Sequence, residues 1–133
     1  MVDVTPLVRK DQNIIQSYKS GQFHVSGQVY KGAIIVKPDD ICAWDCAGPD
    51  IHTLGLSDFA PVMEAAEQTD ILLLGTGSVT DFPAPDVEKS LSSQGINIEM
   101  MSTDAACRTY NVLMAEGRRV AAALLPYIYR SRP

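Results

Sequence analysis

The stretch G-T-G-S-V-T at residues 75–80 is the part of the sequence closest to a ligand-binding motif. It directly follows the apolar run DILLLG, which predicts a strand covered on both faces. A dinucleotide site requires G-x-G-x-x-G at the start of a helix, so that backbone N–H groups meet the phosphates. Here Thr80 replaces the third glycine, and Asp81 brings a negative charge to the place of a phosphate. The pattern disfavours a nucleotide and leaves either a structural turn or a small cleft for an anion or metabolite.

A second group of polar side chains follows the next predicted strand, at the start of the C-terminal helical pattern. In open α/β sheets, ligands bind at the carboxyl ends of the strands, where both groups should lie. Arg108 is suited to hold a carboxylate, and Thr103 or Asn111 to orient it. The predicted ligand or anion pocket consists of Gly75, Thr76, Gly77, Thr103, Arg108 and Asn111. The alternative interpretation is a helix cap, surface ion pairs and a structurally bonded asparagine.

The sequence supplies no set of catalytic or metal-binding residues. Its two histidines, His24 in a predicted strand and His52 in a predicted loop, are remote in sequence from the helical part of the pocket, so no general base is assigned. Cys42, Cys46 and His52 outline a metal site, but residues four apart on an extended strand are separated by about 13 Å. One ion cannot bridge that distance. We therefore predict no catalytic residue, no metal and no cofactor.

The longest helical pattern lies near the C-terminus and predicts a helix over residues 103–124. The stripe that faces the predicted sheet consists of Ala106, Tyr110, Leu113, Gly117, Val120 and Leu124. The opposite face is mixed, and its alanines permit another chain to approach closely. The predicted interaction surface on this face consists of Arg108, Asn111, Ala115, Arg119 and Ala122. Because symmetric dimers are the commonest oligomers, a homodimer through this face is one prediction.

Shorter patterns before this helix predict the rest of the fold. Residues 14–38 contain short β-segments separated by glycines, typical of a β-meander. The further predicted elements are a strand at ICAWDC, a helix from Ser57 or Asp58 to Gln68, the strand DILLLG, a helix over 85–93 and the strand INIEMM. The strand, helix and strand over residues 71–101 fit a parallel crossover. Because no linker or repeat divides the chain, residues 1–133 are predicted to form one domain, with a loose segment at 1–12 and a C-terminal tail at 127–133.

Composition and charge argue against several classes of protein. The formal charge is −5, and residues 39–104 contain thirteen acidic residues against the single basic residue Lys89, so nucleic acid is not expected as a partner. No apolar run reaches the ~18 residues of a membrane-spanning helix. The start of the chain resembles neither a secretory signal nor a transit peptide, so we expect no membrane insertion and a cytoplasmic location. Three cysteines do not make a disulfide framework, and Cys107 is predicted to be a packed thiol.

Several stretches together resemble a known family: YKSGQFHVSGQVYKGAIIVKP, the single Trp44, ILLLGTG and TDAACRTYNVLMAEGRRVAAALLP. This is a family of small α/β proteins of unknown function, found in bacteria and archaea. Its mitochondrial relatives, the assembly factor three proteins, help to assemble respiratory complex I, the NADH:ubiquinone oxidoreductase. The similarity covers residues 14–126. The resemblance implies a three-layer α/β fold, with a central mixed β-sheet, helices and an additional N-terminal β-layer, and it implies no catalytic residue set.

Two functional hypotheses follow from the residues and the resemblance. The first is a non-catalytic protein-interaction or assembly-factor-like protein, whose partner is a subunit of a membrane complex or a second copy of the chain. Its surface would include the mixed helix face and the segment TGSVTDF, residues 76–82, named the 76–82 loop below. The competing hypothesis is a small-molecule or anion-binding protein, or an enzyme, that uses Gly75–Gly77 with Arg108 and Asn111.

Overall fold

Two β-sheets and three α-helices make up the part of the chain that the computed structural model describes, residues 12–19, 21–45 and 51–127. The strands are β1 (Ile15–Lys19), β2 (Gln22–Val25), β3 (Gln28–Lys31), β4 (Ile34–Lys37), β5 (Asp40–Ala43), β6 (Ile71–Gly75), β7 (Asn97–Met101) and β8 (Val120–Leu124). The helices are α1 (Ala60–Glu64), α2 (Pro85–Ser93) and α3 (Thr103–Ala115). Short 3-10 turns are found at Ile51–Thr53, Leu56–Phe59 and Ala66–Gln68.

The larger sheet is mixed and has five strands in the order β5-β4-β8-β6-β7. Strands β6, β7 and β8 are parallel, whereas β4 runs antiparallel to both β5 and β8. The smaller sheet is an antiparallel meander in the order β1-β2-β3. The predicted α/β class, with a central mixed sheet, helices and an additional N-terminal β-layer, is therefore confirmed.

Two apolar clusters cover the two faces of the larger sheet. Leu73 of β6 packs in the cluster formed with α3 and the smaller sheet, whereas Leu72 and Leu74 pack in the cluster formed with α1 and α2. The alanines of β8 divide in the same way, with Ala122 on the α3 face and Ala123 on the other. A sheet covered on both faces explains why these strands are continuously apolar rather than alternating.

The predicted helix over residues 103–124 is wrong in its second half. Gly117 adopts a φ of +79°, a conformation that favours glycine. The N–H of Gly117 donates to Met114 O and that of Arg118 donates to Leu113 O, each over 3.0 Å, which is the Schellman ending of a helix. The alanine-rich segment that follows is the strand β8. The helix propensity of alanine is a weak preference, and burial between β4 and β6 outweighs it.

The other predicted elements agree more closely with the structure. The helix predicted over 85–93 is α2, and the parallel crossover runs through β6, α2 and β7. The helix predicted to end at Gln68 is instead the short α1 between two 3-10 turns. The predicted loose segment and C-terminal tail lie outside the described residues, except for Gln12 and Tyr127.

Candidate functional site

Polar contacts join the loop after β6 directly to the start of α3. The N–H of Thr103 donates to Gly77 O over 2.8 Å, and the N–H of Gly77 donates to Thr103 Oγ1 over 3.0 Å. The Thr103 hydroxyl donates in turn to Leu125 O over 2.6 Å, and the residue is completely buried. The structure thus brings the glycine loop and the start of α3 together. The hydrogen bonds of the threonine, however, all remain inside the protein.

Gly75 permits this close approach of α3 to the end of β6. A Cβ atom at this position would lie 3.0 Å from Leu124 Cδ2 and 3.1 Å from Thr103 Cα. The second of these is a backbone atom, so a change of side-chain conformation cannot relieve this contact. The space around Gly75 is therefore filled by protein atoms. The second glycine of the motif, Gly77, has a φ of +107°, which also favours glycine.

Thr76 holds the rest of the 76–82 loop in one conformation. Its N–H donates to Met101 O over 2.9 Å. Its hydroxyl oxygen lies 2.7 Å from Val79 O and 3.1 Å from Met101 O, and it accepts a hydrogen bond from the N–H of Asp81 over 2.9 Å. One threonine side chain thereby links the beginning of the loop, its tip and its end.

The fixed loop presents two large apolar side chains to solvent. Val79 is 65% exposed and Phe82 is 59% exposed. The N–H of Phe82 donates to Asp81 Oδ1 over 2.8 Å, and the other carboxylate oxygen of Asp81 lies 2.9 Å from His52 Nε2. Two exposed apolar side chains on one short loop offer apolar area that a partner protein can bury. In the sequence, the signal for this exposed apolar surface is the presence of the two side chains in a loop, outside any helical or strand pattern.

Asn111 does not take part in the predicted pocket. Its Oδ1 accepts a hydrogen bond from the N–H of Ile15 over 2.9 Å, and its Nδ2 donates to Ile15 O over 2.7 Å. The amide thus pairs with the backbone of β1 and attaches the smaller sheet to α3. Arg108 is exposed, and its side chain forms no hydrogen bond or ion pair with another residue of the described ranges. The amide of Asn111 is therefore already bonded to β1, and the structure does not bring it to the other residues of the predicted six-residue pocket.

The predicted interaction surface is not a single helix face. Ala115 lies in the last turn of α3 and is partly exposed, but Ala122 is completely buried in β8. Arg119 lies just before β8, where its guanidinium donates to both carboxylate oxygens of Asp70, over 3.0 and 2.6 Å, and to Glu67 O over 2.9 Å. These hydrogen bonds lower the pKa of Asp70 below its usual value. Ala122 is therefore not exposed to a partner, and Arg119 does not lie on the helix face, because the chain leaves the helix before reaching either residue.

Cys107 is a packed thiol, as predicted. It is buried, and this burial raises its pKa to about 12.

Near Cys107, hydrogen bonds hold Tyr127 against β1 and α3. The hydroxyl of Tyr18 donates to Tyr127 O and accepts from the N–H of Tyr127, while the Tyr127 hydroxyl donates to the Asp104 carboxylate. The first residue of the predicted C-terminal tail therefore folds back onto β1 and α3.

The described residues give no support to a metal site formed by Cys42, Cys46 and His52. Cys46 lies outside the described residues, and Cys42 is an exposed thiol on β5. His52 is paired with Asp81 on the 76–82 loop. Across the described ranges, His, Cys, Asp and Glu side chains form no group of three or more that could hold a metal ion.

Comparison with known proteins adds a family to this geometry. Residues 15–125 match the model of the family described as protein of unknown function (DUF498/DUF598). The chain belongs to this family. The family resemblance identified from the sequence is confirmed, because relatives named as assembly factors are also found.

Individual relatives and one solved structure show how far the similarity extends. An uncharacterized protein of Rhodobacter capsulatus is 36% identical over 112 residues, which cover 84% of this chain and 83% of the relative. The NADH dehydrogenase (ubiquinone) 1 alpha subcomplex assembly factor 3 of Danio rerio is 36% identical over 114 residues, covering 85% of this chain and 64% of that protein. This chain therefore spans less than two thirds of the Danio rerio relative. A crystal structure described as an outer membrane protein from Bartonella henselae has a TM-score of 0.80 and 34% identity, covering 89% of this chain and 98% of that one.

Within the described ranges, no helix has the length and apolar character required for a span. The longest is α3, with 13 residues.

Proposed function

We propose that this chain is a non-catalytic protein-interaction protein that takes part in assembling NADH:ubiquinone oxidoreductase and binds its partner through the 76–82 loop. Relatives named as assembly factors support the role at the level of the family. The role requires no cofactor and no catalytic residue. The choice of surface is supported by the geometry of the loop.

The observation that carries the proposal is the exposure of Val79 and Phe82 on a loop held by its own hydrogen bonds. Complete burial of a fully exposed side chain of this kind contributes about 1.5–3 kcal/mol, and Val79 and Phe82 still expose more than half of their surface. A small number of buried apolar anchors typically supplies most of the affinity of a protein interface. Because the loop is already held in one conformation, little conformational entropy is lost when a partner binds. The loop therefore suits a partner surface with an apolar pocket.

The competing small-molecule hypothesis at Gly75–Gly77 has weaker support from the same contacts. The N–H groups of Thr76 and Gly77 and the hydroxyls of Thr76 and Thr103 are all bonded within the protein. A carboxylate or phosphate would have to replace these bonds, and the loss of a buried hydrogen bond costs about 1–3 kcal/mol. Of the two hypotheses, the loop therefore favours a protein partner.

A pair of surface variants tests the proposal in cells that naturally contain the protein. The double variant Val79→Ser/Phe82→Ser removes both apolar side chains. Val29→Ser is the matched control, because Val29 is 51% exposed and lies on β3, outside the loop. All three proteins should unfold at similar temperatures, since exposed substitutions usually change stability by about 0.5 kcal/mol or less.

We expect wild type and Val29→Ser to capture subunits of NADH:ubiquinone oxidoreductase or their assembly intermediates. Capture by the double variant should fall by about tenfold or more, since a loss of 1.4 kcal/mol already has this effect. Only wild type and the control should restore the assembled complex in cells that lack the protein. Full capture and restoration by the double variant would refute the role of the loop. Normal assembly of the complex without the protein would refute the assembly role itself. Capture of only a second copy of the chain would also contradict it.

A further inference from the structure

A groove of about 360 Å³ lies at the end of the larger sheet opposite the 76–82 loop. Strand β8 begins there at Val120, and the antiparallel strand β4 ends there at Lys37. The polar and charged residues that line the groove are Gln12, Lys37, Asp39, Gln68, Arg118 and Arg119. The volume lies within the range of about 300–1,000 Å³ that is usual for small-molecule sites.

The groove gathers positive charge in an acidic protein. The formal charge of the chain is −5, yet three basic side chains meet in this one groove. Two of them have carboxylate partners within the protein: Arg119 pairs with Asp70 at 2.6 Å, and Lys37 lies 3.9 Å from Asp40. The third basic side chain, Arg118, has no ion pair in the described ranges.

One positive and one negative side chain of the groove form no side-chain hydrogen bond or ion pair in the described part of the chain. Arg118 is exposed and forms no side-chain hydrogen bond or ion pair there, although its positive charge also helps to lower the pKa of Asp70. Asp39, on the segment between β4 and β5, is likewise exposed and unpaired there. A ligand that bears both a carboxylate and an ammonium group would satisfy both side chains. A ligand with only negative charges would be attracted by Arg118 but repelled by Asp39.

The backbone positions of both side chains are fixed. The N–H of Arg118 donates to Leu113 O over 3.0 Å in the turn that ends α3, and its carbonyl accepts from the N–H of Val120 over 3.0 Å. On the other side of the groove, the carbonyl of Pro38, next to Asp39, accepts from the N–H of Asn13 over 2.8 Å. The two charges are therefore carried by ordered turns, which reduces the entropy lost when a ligand binds.

We infer that this groove is a binding site for a small zwitterion, such as a free α-amino acid. The ligand carboxylate is held by the guanidinium of Arg118, which can form two parallel hydrogen bonds to it. The ligand ammonium group is held by the carboxylate of Asp39. Gln68 offers an amide donor and acceptor, and Pro38 and Val120 offer apolar contact to the ligand side chain. This site is separate from the 76–82 loop and does not depend on the proposed function.

The first experiment is a titration of the ¹⁵N-labelled protein, followed by NMR, with each of the twenty standard amino acids. The best binder is then compared with its N-acetyl derivative, which lacks the ammonium group, and with its amide, which lacks the carboxylate. We expect saturable shifts of the Arg118, Arg119 and Val120 amide signals, with Gly77 and Asp81 unchanged. Each derivative should bind about threefold more weakly or worse, as expected for loss of one solvent-exposed ion pair.

Two variants test which side chain of the groove binds the carboxylate of the ligand and which binds its ammonium group. Arg118→Ala should weaken binding of the amino acid and of its N-acetyl derivative, while Asp39→Asn should remove the preference for the amino acid over that derivative. Arg108→Ala is the matched control, because Arg108 is also an exposed arginine whose side chain forms no hydrogen bond or ion pair in the described ranges, and this variant should not affect binding. The inference is overturned if no amino acid gives saturable shifts. It is also overturned if the derivatives bind equally well, or if Arg108→Ala acts as strongly as Arg118→Ala.

Discussion

The two ends of the larger sheet differ in whether their polar groups are hydrogen-bonded within the protein. At the carboxyl ends of β6 and β8, threonine hydroxyls and backbone amides bond one another, and the side chains left exposed are apolar. At the amino ends of the same strands, a groove contains Arg118 and Asp39, whose side chains form no hydrogen bond or ion pair with described residues. This contrast is the basis of our two proposals, a partner protein at the first end and a small charged ligand at the second.

This contrast reverses the usual expectation for an open α/β sheet. Ligands commonly bind where the parallel strands end, because helix N-termini and loops provide free donors there. Here Gly75 lets α3 approach so closely that Thr103 fills this position and bonds the loop. A glycine-rich loop in the expected place is therefore insufficient to indicate a ligand site. Such a loop indicates a ligand site only if its hydrogen-bond donors are not already bonded within the protein.

The largest effect should come from filling the space at Gly75. Gly75→Ala places a Cβ atom 3.0 Å from Leu124 Cδ2 and 3.1 Å from Thr103 Cα, so α3 must move away from β6. Overpacking of this kind should reduce the free energy of unfolding by about 3 kcal/mol, measured by denaturant unfolding. The matched control is Gly55→Ala, since an added Cβ at Gly55 has no atom within 4 Å and φ is an ordinary −106°. Equal stability of the two variants would mean that this end of the sheet is not closely packed.

A smaller loss should follow from removing the hydroxyl that joins the loop to α3. Thr103→Val keeps the shape of the side chain but leaves the N–H of Gly77 and the carbonyl of Leu125 without their partner. Unsatisfied buried groups of this kind should lower the free energy of unfolding by about 2 kcal/mol. Thr80→Val, on the exposed tip of the loop, is the control and should be nearly neutral. A neutral Thr103→Val would show that the carboxyl end is not held by this hydroxyl.

Much of the fold was predictable because its signals are local. The unbroken apolar run of β6 and the proline and glycine that bound α2 needed only neighbouring residues to interpret. Strand β8 was missed because VAAAL continues a helical spacing, although Gly117 carried the signal for a helix end. What makes β8 a strand is its position between β4 and β6, which no local pattern contains.

The candidate sites were less predictable, because their contacts join distant parts of the chain. The proximity of the glycine loop to α3 followed from general sheet topology. The bonding of Asn111 to Ile15, 96 residues away, has no sequence signal. The groove likewise combines Asp39 with Arg118, and their neighbourhood depends on the antiparallel pairing of β4 with β8.

The smallest expected effect concerns the ion pair beside the groove. Hydrogen bonds from Arg119 lower the pKa of Asp70 below the ordinary value of 3.8. The stability from this pair is therefore fully present above the unfolded-state pKa and is lost as the pH falls through the folded-state pKa. The difference in unfolding free energy between wild type and Arg119→Gln should be larger at pH 6 than at pH 2.5, at low ionic strength. A difference that does not change with pH would contradict this ion pair.

Amide hydrogen exchange of the 76–82 loop tests the central claim most directly. The claim is that internal hydrogen bonds hold this loop in one conformation while it presents Val79 and Phe82 to a partner. The N–H groups of Gly77 and Asp81, which donate to Thr103 Oγ1 and Thr76 Oγ1, should then exchange about tenfold or more slowly than in an unstructured peptide. Exchange of both amides at the unstructured rate would contradict the account.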